Sequence, residues 1–138
     1  MKKKSIVVVM VLVMLFSCTS IAQARASEYV RNTTVSAYAG NESGEIKIYF
    51  SINAVVSTTR IGASSIEVYE SNGDYVTTIW GNTSNGLIST AGGRYYNYTY
   101  TYTGTPGTTY YFIVNCYAGN SSGSDTRERE THLVQAPY

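Results

Sequence analysis

From Glu45 to Ala54 apolar and polar side chains alternate without a break. Ile46, Ile48, Phe50, Ile52 and Ala54 fall on one side of an extended chain, and Glu45, Lys47, Tyr49, Ser51 and Asn53 on the other. A period of two over this length predicts a strand with one buried face. Thr33, Val35 and Ala37 give a weaker strand before it, closed by a turn at Ala39-Gly40-Asn41. After it, Ile66 and Val68 alternate with Glu67 and Tyr69, and Ser71-Asn72-Gly73-Asp74 supplies an Asn-Gly hairpin turn. The return strand runs from about Tyr75 to Trp80. Residues 81–93, rich in Gly, Asn and Ser around Leu87-Ile88, predict a long loop or a short edge strand. Two long strands follow, at about Tyr95–Thr103 and Thr108–Ala118. A turn at Gly119–Gly123 leads to a last strand from about Thr126 to Val134. No stretch carries the i, i+3, i+4, i+7 recurrence of a helix.

Seven short strands with a turn every 8–12 residues predict an all-β, two-sheet antiparallel sandwich. The composition agrees. Fourteen tyrosines stand against three Phe and one Trp, and only 14% of residues are charged. β-Formers crowd out the usual helix formers.

The N-terminus departs from this pattern. Lys2, Lys3 and Lys4 precede an apolar run from Ile6 to Phe16, and Ala22-Gln23-Ala24 offers a small-residue cleavage site. This arrangement predicts a secretory signal peptide over residues 1–24, with residues 25–138 as one β-sandwich domain. The apolar run is shorter than the roughly 20 residues a membrane span needs. Its style resembles the signal peptides of Gram-positive bacteria, which implies a secreted, extracellular protein. Leu15-Phe16-Ser17-Cys18 loosely resembles a lipobox, although Phe16 is bulkier than that pattern wants. Lipidation at Cys18 would make the protein a membrane-anchored, cell-surface one, and is the only route to a membrane partner here.

Cleavage after Ala24 would remove Lys2, Lys3 and Lys4 and leave seven basic against nine acidic residues, a net −2. Such a chain lacks the basic surplus that a phosphate backbone requires, so no nucleic-acid partner is expected. Cys116 would be the remaining thiol and could close no intramolecular disulfide.

The chemistry-bearing residues are few. Cys116 and His132 are the one thiol and one imidazole beyond the leader. If the last two strands form a hairpin about Ser122, Cys116 faces Glu128 and His132 faces Phe112, an offset of ~13 Å at ~3.3 Å per residue. A Cys/His catalytic pair is then out of reach. Cys116 is expected in the core and His132 at the surface. One Cys and one His do not make a zinc site. The acids at Asn41-Glu42-Ser43-Gly44-Glu45 and Ser124-Asp125 leave calcium at a sandwich end as the one metal to consider. No enzyme activity, no cofactor and no metal are expected.

Thr105-Pro106-Gly107-Thr108-Thr109-Tyr110 resembles the segment before the sixth strand of fibronectin type III domains, with Gly104 where that family has Leu. Phe112, Val114, Cys116 and Ala118 then follow the family's inward alternation, and Phe50 stands in for its second-strand Trp. The resemblance, shared in outline with immunoglobulin-like sandwiches, implies that Tyr110 forms a tyrosine corner, its hydroxyl bonded to backbone near Gly104–Gly107. Such a fold is a scaffold and does not name a function.

Tyrosine is the feature that points to one. Tyr96, Tyr98, Tyr100 and Tyr102 alternate with Asn97, Thr99, Thr101 and Thr103. This tyrosine face either packs inward, with its outermost rings part exposed, or forms an exposed aromatic row. Tyr49, Tyr69, Tyr111 and Tyr117 sit on outward phases of their strands. If the third and sixth strands are neighbours, Tyr69, Tyr111 and Tyr117 share one outer face, which becomes the candidate ligand-contact surface. The function expected is a secreted, non-catalytic binding or interaction module with a glycan or protein partner. The alternative is a structural or cell-surface protein with no dedicated ligand site. The alternating Arg127-Glu128-Arg129-Glu130 predicts an edge strand.

Overall fold

Nine strands make up the computed structural model, which describes residues 28–138. They are β1 (Val30–Ala39), β2 (Glu45–Thr58), β3 (Arg60–Glu70), β4 (Tyr75–Trp80), β5 (Ile88–Ser89), β6 (Gly93–Thr103), β7 (Thr109–Asn120), β8 (Gly123–Glu130) and β9 (Val134–Gln135). Residues 1–24, expected as a signal peptide, the expected cleavage site and Cys18 lie outside the described residues.

The strands form a β-sandwich of two antiparallel sheets. One sheet has the order β1-β2-β6. The other has the order β4-β3-β7-β8, with β5 joining β3 beyond the end of β4, and β9 joining β7 beyond the end of β8. Period-two patterning accounts for the facing. Ile46, Ile48, Phe50 and Ile52 of β2 and Tyr110, Phe112, Val114, Cys116 and Ala118 of β7 all point into one core, joined by Ile66 and Val68 of β3.

Two β-bulges explain what simple alternation misses. In β3, Ala63 pairs with Cys116 but Ser65 pairs with Asn115, leaving Ser64 as an extra residue. The alternation reverses there, so Arg60–Ala63 does not read as part of the Ile66–Tyr69 strand. In β4, Val68 pairs with Thr77 but Tyr69 pairs with Tyr75, which makes Val76 the extra residue.

The β7–β8 hairpin corrects one sequence expectation. Its loop is Ser121-Ser122, between the paired Asn120 and Gly123, and is centred between the two serines. Every partner therefore moves by one: Cys116 faces Arg127, not Glu128. The strand also ends earlier than expected. Thr131 exchanges bonds with Phe112, its N–H donating to the Phe112 carbonyl at 2.9 Å and its Oγ1 accepting from the Phe112 N–H at 3.1 Å. His132 lies beyond β8, is exposed, and does not face Phe112. As the charge alternation implied, β8 is an edge. Arg127 and Arg129 pair with the inward Cys116 and Val114, and Glu128 and Glu130 with the outward Asn115 and Ile113. Inward-pointing charge of this kind blocks a further strand from adding.

Cys116 is fully buried. Burial pushes its thiol from 9.0 up to about 12, with the Arg129 charge opposing. A raised thiol favours the protonated fold. Its contribution is complete below the unfolded value near 9 and is lost as pH climbs towards 12. Wild type should therefore lose urea resistance above about pH 9 more steeply than Cys116→Ala, which should itself cost ~1–2 kcal/mol at neutral pH for the small void. The native thiol should be inert to alkylating reagents and react fully in denaturant. Parallel pH slopes for the two proteins, or fast native labelling, would count against this burial.

Candidate functional site

The hairpin between β3 and β4 sets up the most aromatic outer surface. Gly73 adopts φ +92° and lets the turn close, with the Gly73 N–H donating to the Glu70 carbonyl at 2.9 Å. The Val76 bulge then brings Tyr75 directly opposite Tyr69, which on its other side pairs with Tyr111 of β7. Three tyrosines thus cross three adjacent strands on the outer face. Tyr69 and Tyr111 stack with centroids 5.2 Å apart and planes within 10°. Tyr75 meets Tyr69 edge-on at 5.7 Å. Without the bulge, Val76 would hold that place.

Successive cross-strand rows are more polar. The next row is Thr78, Glu67, Ile113 and Glu130, and the one after is Trp80, Ser65, Asn115 and Glu128. Glu67 sits between the tyrosines and this last row. Its carboxylate accepts from the Tyr69 hydroxyl at 2.9 Å and from the Asn115 amide at 3.3 Å, and Asn115 also donates to Ser65 Oγ at 3.0 Å. The Glu67 contact raises the Tyr69 phenol above its ordinary value. Tyr75 and Thr78 share a hydroxyl–hydroxyl bond of 2.9 Å. Trp80, the chain's one tryptophan, ends the row on the edge strand with 72% of its surface exposed.

Of the three tyrosines expected on this face, Tyr69 and Tyr111 are in contact. Tyr117 lies on the same face but six residues along β7 from Tyr111, ~20 Å away. There the Arg60 guanidinium covers its ring at 5.5 Å. Tyr75, Trp80, Glu67 and Asn115 were not anticipated. Counting outward from the Asn72-Gly73 turn would have placed Trp80 opposite Ser65, but nothing in the sequence marks the bulge that delivers Tyr75.

Tyr110 is buried, and its hydroxyl accepts a bond from the Thr105 N–H at 2.9 Å. The backbone partner is thus a donor five residues upstream. A Cβ at position 104 would stand 2.6 Å from the Tyr110 ring, so glycine is what the close packing there admits. Tyr102 packs edge-on against both Tyr110 and Phe112, at 5.7 and 5.6 Å.

The tyrosine face of β6 points inward. Tyr96, Tyr98, Tyr100 and Tyr102 pair with Ile52, Phe50, Ile48 and Ile46 and share their side of the sheet. Because β6 is an edge strand the rings reach the rim. Tyr98 remains 36% exposed, and the Tyr96 hydroxyl donates to the Gly86 carbonyl at 2.5 Å. Tyr38, Tyr49 and Tyr95 occupy the outer face of the β1-β2-β6 sheet, set among Ser, Thr, Asn and Lys side chains, with the Tyr95 hydroxyl hydrogen-bonded to Tyr49, Ser51 and Asn97.

Two of the three acids considered for calcium, Glu45 and Asp125, are otherwise engaged. Glu45 accepts from the Asn41 and Glu42 N–H groups and pairs with Lys47, while Asp125 on β8 accepts from the Tyr29 N–H. Among the described residues no three His, Cys, Asp or Glu side chains gather as a metal site would need.

No family model matches the chain, and no curated protein matches it. Matching solved structures include a family 76 glycoside hydrolase from a bovine Bacteroides thetaiotaomicron strain, at 18% identity and a TM-score of 0.46. The match covers 80% of this chain and 20% of that one, so the chain spans about a fifth of the hydrolase's length.

Proposed function

We propose that the protein is a secreted, non-catalytic binding module, fibronectin type III-like in build, whose ligand is a glycan taken on the outer face of the β4-β3-β7-β8 sheet. The observation that carries this is the Tyr75-Tyr69-Tyr111 row flanked by Thr78, Glu67, Asn115 and an exposed Trp80. The exposed rings of Trp80 and Tyr75 suit the apolar faces of sugars, and the hydroxyls, amide and carboxylate beside them suit sugar hydroxyls. A twisted sheet also holds such groups rigidly, which lowers the ordering cost of binding. Strand order β1-β2-β6 against β4-β3-β7-β8, together with the Tyr110 corner, supports the fibronectin-like assignment. Export rests on residues 1–24.

The test is co-sedimentation with a panel of insoluble polysaccharides, followed by titration with soluble oligomers of any that bind. Trp80 is a built-in reporter. Binding should shift its emission to the blue and shield it from acrylamide. Tyr111→Ala and Trp80→Ala should each weaken binding by about tenfold. If no polysaccharide in the panel is retained, or if both variants bind as wild type does, the proposal fails.

A further inference from the structure

Resting on the glycan-binding function proposed above, we infer that the sugar recognised carries a protonated amine, and that the face is built for a deacetylated amino-sugar chain. The charges on the sheet are sorted by side. Glu67, Glu128 and Glu130 share the outer face by register, and none of the three is paired with a cation among the described residues. The two arginines that alternate with Glu128 and Glu130 point to the other side, where Arg129 Nε donates to Thr33 Oγ1 of β1 at 2.8 Å. Arg60 is on the outer face, but at its far end, where it covers Tyr117.

The charged groups in the two rows beside the tyrosines are all carboxylates. Glu67 and Glu130 stand on one cross-strand row, two strands or ~10 Å apart, one row from Tyr69 and Tyr111. The exposed Trp80 ring adds a face of negative potential toward a cation. The Glu67 carboxylate takes two bonds, from Tyr69 and Asn115, of about four that it can accept, which leaves room for an ammonium donor. Neutral Thr78, Ser65 and Asn115 separate the carboxylates from one another and from Trp80. That mixture of ring faces, neutral hydroxyl and amide groups and spaced carboxylates matches a ring bearing both hydroxyls and an amine. A lysine chain would offer the charge alone.

Calorimetric titration with glucosamine oligomers and N-acetylglucosamine oligomers of equal length tests this, in mildly acidic, low-salt buffer, with oligolysine as a third ligand. The deacetylated oligomer should bind wild type about tenfold more tightly than the acetylated one. The preference should collapse in Glu67→Gln and at high salt, with the acetylated oligomer losing less affinity than the deacetylated one. Glu130→Gln, at an exposed position, should reduce the preference in the same direction should Glu67→Gln prove poorly folded. Equal binding of both oligomers, or preference for the acetylated one, overturns the amine and leaves the glycan face standing. Oligolysine binding as tightly as the amino sugar overturns it as charge attraction alone. Binding of neither sugar overturns the amine, and the polysaccharide panel then decides whether the glycan face falls with it.

Discussion

Tyr110→Phe is expected to lose ~1–3 kcal/mol of folding stability, and Tyr111→Phe almost none, although the residues are neighbours on β7. The Tyr110 ring is buried against Tyr102 and Phe112, and its hydroxyl is the partner of the Thr105 N–H. Removing that oxygen leaves the ring packed and the amide without its acceptor. The amide lies in the loop that joins β6 to β7, so the loss falls on the connection between the two sheets. The Tyr111 ring lies on the outer face and keeps its stack on Tyr69 when the hydroxyl is gone. Urea denaturation of both variants checks the contrast. Equal midpoints for the two variants and wild type would argue against the corner bond. A loss at Tyr111 alone would invert the inward and outward faces of β7, and with them the candidate surface.

A larger loss is expected at Gly62, where substitution by Ala should cost roughly 2–5 kcal/mol. Gly62 adopts φ +147°, and a methyl there would stand 2.0 Å from the Leu87 carbonyl oxygen and 2.8 Å from the Ile88 Cα. Both neighbours are backbone, so neither can swing aside. The same carbonyl accepts the Ala63 N–H at 2.8 Å, and β5 pairs with β3 at this point. The change therefore pushes β5 off the sheet and draws the fully buried Leu87 from the core. The loop is tied to the candidate surface through Asn85, whose amide donates to the Trp80 carbonyl at 2.9 Å, so Trp80 emission should move as well. Gly73→Ala is the control. It has φ +92° but nothing within 4 Å of the added carbon, and should cost only ~1–2 kcal/mol of backbone strain. Equal losses at the two glycines would show that the close approach at Gly62 is not what holds the loop.

Much of the fold was legible because one face of each long strand is buried. The alternation in Glu45–Ala54 and Thr109–Ala118 survives intact as β2 and β7, the central strands of the two sheets. Sorting Tyr96, Tyr98, Tyr100 and Tyr102 inward was also open to pattern, since Thr and Asn on the opposite phase cannot build a core. The failures have local causes. An extra residue at Ser64 hides the first part of β3, an extra residue at Val76 moves Tyr75 beside Tyr69, and a hairpin loop centred half a residue early shifts every β8 partner by one. A bulge leaves no compositional mark in a single strand, because it is a mismatch between two. For the same reason the outer face was only half visible. Tyr69 and Tyr111 follow from phase, but the Glu67 and Asn115 contacts between them depend on register. Phase alone also grouped Tyr117 with them, since it fixes the side of a sheet and not the distance along it.

Isotope-labelled protein titrated with a soluble oligosaccharide, and followed by backbone amide shifts and the Trp80 indole signal, tests the ligand face most directly. Shifts should concentrate on Glu67, Tyr69, Thr78, Trp80, Tyr111 and Asn115, and leave Tyr38, Tyr49 and Tyr95 on the opposite sheet unmoved. Perturbations centred on those three tyrosines, or no saturable shifts with any amino-sugar or neutral oligomer, would contradict the assignment of the β4-β3-β7-β8 face as the binding surface.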